Sequence, residues 1–248
     1  MRSFQARRGG LKFVRRLFLI RKDSPVNDIK ENLNRIFDEI SVGNNRGESI
    51  TLLGATKFVD IARINQAAEY GLKTIGENKA QEFRDKFALY SPDLEKHFIG
   101  SIQENKLKYL VGKADCIDSV SSIATAESIS VLAQKLNVTQ NIMLEVNGGD
   151  EVTKTGMSLA DLKPAYNAII ELRNIKITGI TAMLPIGEEA LLARVTENIR
   201  AVYDELKSGD ENIKFLSIGM SGDYKIAIKH GSNMIRLGRA IFGERIYQ

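Results

Sequence analysis

The chain is poor in the residues that build metal centres, disulfides and breaks between domains. It has one cysteine, two histidines, four prolines and no tryptophan in 248 residues. A lone Cys116 forms no internal disulfide. Because His97 and His230 stand far from it without any ligand spacing, a structural zinc site is not expected, and metal chemistry would have to rest on carboxylates. No apolar run approaches the roughly 18 residues of a membrane-spanning helix. With 43% apolar and 27% charged residues, the composition is that of a globular chain able to bury one sizeable core. No low-complexity tract and no Pro/Gly/Ser linker divides it, so a single main domain is expected.

Acidic residues are missing from one place only. Residues 1–22 carry eight basic residues and no acid, and the other 226 carry 27 basic against 31 acidic residues. The pI near 9.0 therefore comes from a basic N-terminal extension, not from a basic domain face, and gives no support to nucleic-acid binding. Two readings of the extension stay open: an organellar transit peptide, or an addition from an upstream start. Cytoplasmic location is expected unless the first holds. The division that follows is 1–22, an extension outside the fold, and 23–248, the folded body.

Within the body the pattern repeats. Asp23-Ser24-Pro25 reads as a helix start, and Ile29, Leu33, Ile36, Phe37 and Ile40 keep helical spacing up to the Gly43-Asn44-Asn45 stop. Eight short apolar runs of strand character follow, at 50–56, 74–75, 98–100, 116–120, 142–146, 177–183, 215–219 and 234–237. Between most of them lie helical stretches, at 60–70, 80–90, 103–111, 123–136, 159–172 and 188–206. Strands joined by such crossovers run parallel. The expected fold is a single (β/α)8 barrel of the TIM type with an extra N-terminal helix; an open doubly wound sheet is the competitor, weakened by the absence of GxGxxG after the first strand.

In such a barrel, function sits at the carboxyl ends of the strands. Lys57 closes the first strand. Its amine, partly desolvated at an apolar barrel mouth, would attack carbonyl groups; the alternative is an ammonium extended into water. Gly219-Met220-Ser221-Gly222-Asp223 opens a short helix, and Gly238 follows the last strand. Together they resemble a phosphate cradle, against the alternative of an ordinary cap and turn. Arg236, alternating with apolar neighbours, points into the barrel mouth, where it would meet an anion or ring nitrogen, or else a carboxylate such as Glu145 or Glu77. A lysine on strand one and a phosphate cradle on strands seven and eight suggest a phosphorylated aldehyde, pyridoxal 5'-phosphate. His97 and His230 read as structural residues. No Ser-His-Asp, Cys-His or EF-hand pattern is present.

The chain resembles the pyridoxal phosphate homeostasis proteins, which are similar to the isolated N-terminal barrel of alanine racemase. The resemblance rests on Ala55-Thr56-Lys57, on Gly76-Glu77-Asn78 with Gln81-Glu82, and on the run from His97 to Gln103 with Asn105-Lys106. Glu145-Val146-Asn147 with Lys154 and Gly156, and the stretch from Ser217 to Gly243, complete it. It implies that Lys57 carries the cofactor as an internal aldimine, that Asn78 lies beside the ring, that Ser221, Gly222 and Gly238 hold the phosphate and that Arg236 faces the pyridine nitrogen. Five positions depart from the family pattern: Thr56 for Ser, Lys79 for an aromatic residue, Lys96 for Trp, and Ile180 and Thr181 in Gly179-Ile180-Thr181 for Gly-Leu-Met.

The function implied is pyridoxal phosphate binding in intracellular cofactor homeostasis and amino-acid and keto-acid balance. Amino acids or cofactor-free enzymes are the expected partners, and a monomer rather than an obligate dimer is the expected state. Alanine racemase takes a second acid/base, a tyrosine, from a further domain for which the expected barrel has no counterpart. A weak racemase-like enzyme, with His97 as a conceivable donor, is the alternative function. A phosphosugar barrel forming a substrate Schiff base on Lys57 is a third.

Overall fold

A computed structural model describes residues 28–149 and 155–244. The basic extension and the Asp23-Ser24-Pro25 signal lie outside the described residues. The first helix, α1 (Ile29–Ile40), is capped by Asp28, whose carboxylate accepts from the Lys30 amide at 2.8 Å. Ile29, Leu33, Ile36 and Ile40 are its buried stripe.

The barrel follows as β1 (Thr51–Ala55), α2 (Ile61–Glu69), β2 (Thr74–Glu77), α3 (Ala80–Lys86), β3 (Glu95–Phe98), β4 (Cys116–Val120), α4 (Ile123–Leu136) and β5 (Gln140–Asn147). It continues with α5 (Leu159–Ile169), β6 (Ile175–Met183), α6 (Glu189–Gly209), β7 (Phe215–Ile218), α7 (Tyr224–Lys229), β8 (Met234–Leu237) and α8 (Arg239–Phe242). The eight strands close in chain order, every pair parallel, with β8 against β1 through Leu53↔Arg236. Closure excludes the open doubly wound sheet.

The third unit departs most from the expected pattern. The strand expected at 98–100 is Glu95–Phe98: the polar Glu95, Lys96 and His97 fall outside the apolar run that marked the strand. The helix expected at 103–111 is a 3-10 turn, Glu104–Tyr109. Pro164 lies inside α5, beyond its first turn.

Register partners of parallel strands share a face. Gly76, His97 and Cys116 are such a row and point inward. The outward rows, with Leu52, Ile75, Ile117, Ile235 and Leu237, pack under the helices, and α1 joins α2 and α8 in one part of that shell.

Candidate active site

The strand carboxyl ends open into a cavity of about 470 Å³ lined by all six residues singled out from the sequence: Lys57, Asn78, Ser221, Gly222, Arg236 and Gly238. Each arrives from a different local cause. Lys57 lies two residues beyond the end of β1, followed by Phe58 in the left-handed region at φ 63°. A non-glycine residue held there stores strain of order 1–3 kcal/mol. Asn78 follows β2 directly and its amide bonds Glu77 Oε1 at 2.8 Å. Its side-chain Oδ1 is buried without a partner among the described residues. A Cβ on Gly100 would stand 1.9 Å from the Asn78 carbonyl oxygen, so only glycine lets β3's exit pass that close.

At the other side, Asp223 Oδ1 accepts from the Met220 amide and the Tyr224 amide donates to Met220 O, closing a tight turn before α7. Among the described residues Ser221 and Gly222 donate neither amide to a protein acceptor. Ser221 does not cap α7, whose cap position is Asp223 and carries no side-chain cap bond. A Cβ on Gly222 meets nothing within 4 Å, so the protein itself leaves that space open.

Arg236 is buried. Nη1 donates to Thr181 Oγ1 at 2.9 Å, Ser217 O at 2.6 Å and Ser217 Oγ at 2.7 Å, and Nη2 donates to Ala182 O at 2.9 Å. Burial lowers its pKa, opposed by Asp118, Asp223 and Glu145. Among the described residues it makes no ion pair. Glu77 instead bonds Lys86 at 3.1 Å, and Glu145 accepts from Thr155 at 3.0 Å. The carboxylate partner considered for Arg236 from the sequence is thus not used. Thr181, a departure from the family pattern, is one of the acceptors that fix the guanidinium. Lys79, another departure, lies 4.2 Å over the Phe58 ring.

His97 is not a wall of the cavity. Its buried ring lies beneath, Nδ1 bonded to Asp118 Oδ1 at 2.8 Å. Burial would lower its pKa, but Asp118 and Glu95 outweigh that and push it up to about 10. His230 caps the end of α7 and pairs with Glu197 at 2.7 Å. Two cavity carboxylates, Asp118 and Glu145, were not singled out as site residues. A charged residue inside the apolar run 116–120 was the available signal for Asp118, of the same kind that drew attention to Arg236. Burial raises the pKa of Glu145 against the hydrogen bond from Thr155 and the charge of Arg236.

Residues 33–246 match the family model described as alanine racemase, N-terminal domain. A pyridoxal phosphate homeostasis protein of Aquifex aeolicus is 39% identical over 224 residues, covering 88% of this chain and 98% of its own. The chain belongs to the pyridoxal phosphate homeostasis protein family. The Escherichia coli member is 32% identical over 231 residues, 90% of this chain and 99% of its own. Among solved structures, PipY of Synechococcus elongatus without pyridoxal phosphate superposes with a TM-score of 0.79 at 29% identity, covering 87% of this chain and all of PipY. The form with pyridoxal phosphate bound gives 0.74 at 28%. A Clostridium difficile alanine racemase shares the fold, with a TM-score of 0.74 at 14% identity over 90% of this chain and 58% of the racemase.

Proposed function

We propose that this protein binds pyridoxal 5'-phosphate in the barrel-mouth cavity, held covalently through Lys57, and serves intracellular cofactor homeostasis and amino-acid and keto-acid balance. The observation that carries the reading is the set of polar groups. Among the described residues one amine, a buried Asn78 Oδ1 acceptor without a partner, two backbone amides without a protein acceptor at Ser221 and Gly222, and a buried guanidinium converge on one cavity. That set fits a phosphorylated aldehyde on an aromatic ring. The bound cofactor supplies an aldehyde to which primary amines join and from which they exchange.

Lys57 supplies the amine, with water as the leaving group. Ser221, Gly222 and Gly238 would hold the phosphate; a Cβ on Gly222 would intrude on that space. Asn78 would lie beside the ring. Arg236 would face the ring nitrogen; as a cation it disfavours a second positive charge there, so the protein restrains the ring as an electron sink. Such a site stores and hands over its cofactor. In this reading the protein works as a cytoplasmic monomer, exchanging cofactor with amino acids or cofactor-free enzymes.

Full-length protein loaded with pyridoxal phosphate and dialysed should retain one equivalent per chain; retention below a tenth would overturn the reading. Gly100→Ala should weaken retention by at least about tenfold, equal to ~1.4 kcal/mol, because the added Cβ displaces Asn78. Circular dichroism of the variant separates this from unfolding.

A weak racemase-like activity is a second reading. It is favoured by Glu145, a cavity carboxyl whose raised pKa suits proton transfer. Incubation of the loaded protein with L-alanine in deuterated water, followed by NMR, decides between them. Storage predicts α-proton loss over hours or slower; exchange within minutes that Glu145→Gln abolishes would establish the enzyme instead.

A further inference from the structure

Beneath the cavity, inside the barrel, two polar atoms have no hydrogen-bond partner among the described residues: His97 Nε2 and Asp118 Oδ2. Both belong to a cluster on β3 and β4. His97 and Cys116 are register partners, and Asp118 follows two residues after Cys116. All three are at most 3% exposed. One ligand atom from each, an imidazole nitrogen, the thiol sulfur and a carboxylate oxygen, lies within 4.8 Å of the other two. Glu95 adds a second carboxylate, Oε1 at 3.4 Å from His97 Nε2.

Two carboxylates flank a single imidazole, Asp118 at Nδ1 and Glu95 at Nε2, and among the described residues neither makes an ion pair with a lysine or arginine. Glu95 begins β3 and its side chain is 48% exposed, which opens the cluster to solvent at the strands' amino ends, away from the cofactor cavity.

We propose that His97, Cys116 and Asp118 form a three-ligand divalent metal site of the zinc class inside the barrel, with Glu95 at the other ring nitrogen, outside the ligand set. A mixed nitrogen, sulfur and oxygen set suits zinc, whereas magnesium and calcium take oxygen ligands only. Binding releases the Cys116 thiol proton and any proton on the coordinating nitrogen to solvent. Donor atoms around tetrahedral zinc stand roughly 3.3–3.8 Å apart, given bonds of about 2.0–2.3 Å, so the cluster needs to close by about 1 Å. The competing arrangement is the bare His97–Asp118 pair at 2.8 Å. The metal site is independent of the cofactor reading, since only Asp118 touches both.

The test uses the full chain, loaded with zinc sulfate, passed over chelating resin and analysed by elemental mass spectrometry and zinc-edge X-ray absorption. The expected result is one zinc per chain with one sulfur neighbour at about 2.3 Å and nitrogen or oxygen neighbours at about 2.0–2.1 Å. Cys116→Ser and His97→Gln should each lower zinc affinity at least about tenfold, with cofactor retention measured separately on the same samples. No retained zinc, or zinc surrounded by nitrogen and oxygen alone, would overturn the proposal. The absorption spectrum of the unaltered protein distinguishes these outcomes even where a core variant fails to fold.

Discussion

Replacing Lys57 with alanine should abolish the visible absorbance of the loaded protein and reduce the borohydride-fixed adduct from one per chain to none. Among the described residues lining the cavity Lys57 is the one primary amine; the other cations there, Arg236 and Arg239, are guanidinium groups that stay protonated and do not condense with aldehydes. Lys57→Arg keeps the positive charge and should lose the adduct as completely, which separates covalent capture from electrostatic attraction. Noncovalent cofactor should still associate through the Ser221 and Gly222 amides and Arg236, at reduced affinity. Peptide mapping after borohydride reduction reads the site directly. An adduct of unchanged stoichiometry in Lys57→Ala, on Lys79 or Lys106 for example, would defeat the assignment.

The barrel was legible because apolar runs of strand length alternate with helical periodicity, and neither signal depends on distant contacts. The site was legible where a residue's chemistry clashed with its neighbours. Arg236 among Met234, Ile235 and Leu237 could only point at something polar, and it does, to Thr181, Ser217 and Ala182. The same logic applied to Asp118, which stands in the middle of the 116–120 run, would have found it. What stayed hidden was pairing across strands. His97 and Cys116 are 19 positions apart in sequence and look unrelated. Parallel register makes them neighbours, so spacing along the chain no longer counts against a metal site once the barrel has closed. β3 was misplaced for a related reason: Glu95 and His97 are polar where a strand is expected to be apolar, and only closure of the barrel gives each a partner inside.

Glu48→Gln should lower the thermal midpoint by about 6–12 °C at neutral pH. Glu48 sits before β1 and ties the α1–β1 connection to α6. Its Oε2 accepts from Arg200 Nη1 at 2.6 Å and from Asn44 Nδ2 at 2.8 Å, and its Oε1 accepts from Lys207 at 2.8 Å. Arg200 is buried and, among the described residues, keeps only Asp204 as a counter-ion when Glu48 is neutralised. Breaking a buried pair on one side costs ~3 kcal/mol, and at this chain length each kcal/mol moves the midpoint by roughly 2–4 °C. Burial would raise the Glu48 pKa, but the hydrogen bonds from Arg200, Lys207 and Asn44 prevail and lower it to about 2. A depressed carboxylate pKa stabilises the fold at pH values above the unfolded value near 4.5, and that contribution is lost as pH falls toward 2. The gap between the parent and Glu48→Gln should therefore be constant from pH 7 to about 5 and shrink below it. Calorimetric midpoints at pH 7, 5, 4 and 3 measure this, and a gap that stays constant down to pH 3 would show that Glu48 acts through packing and not through its charge.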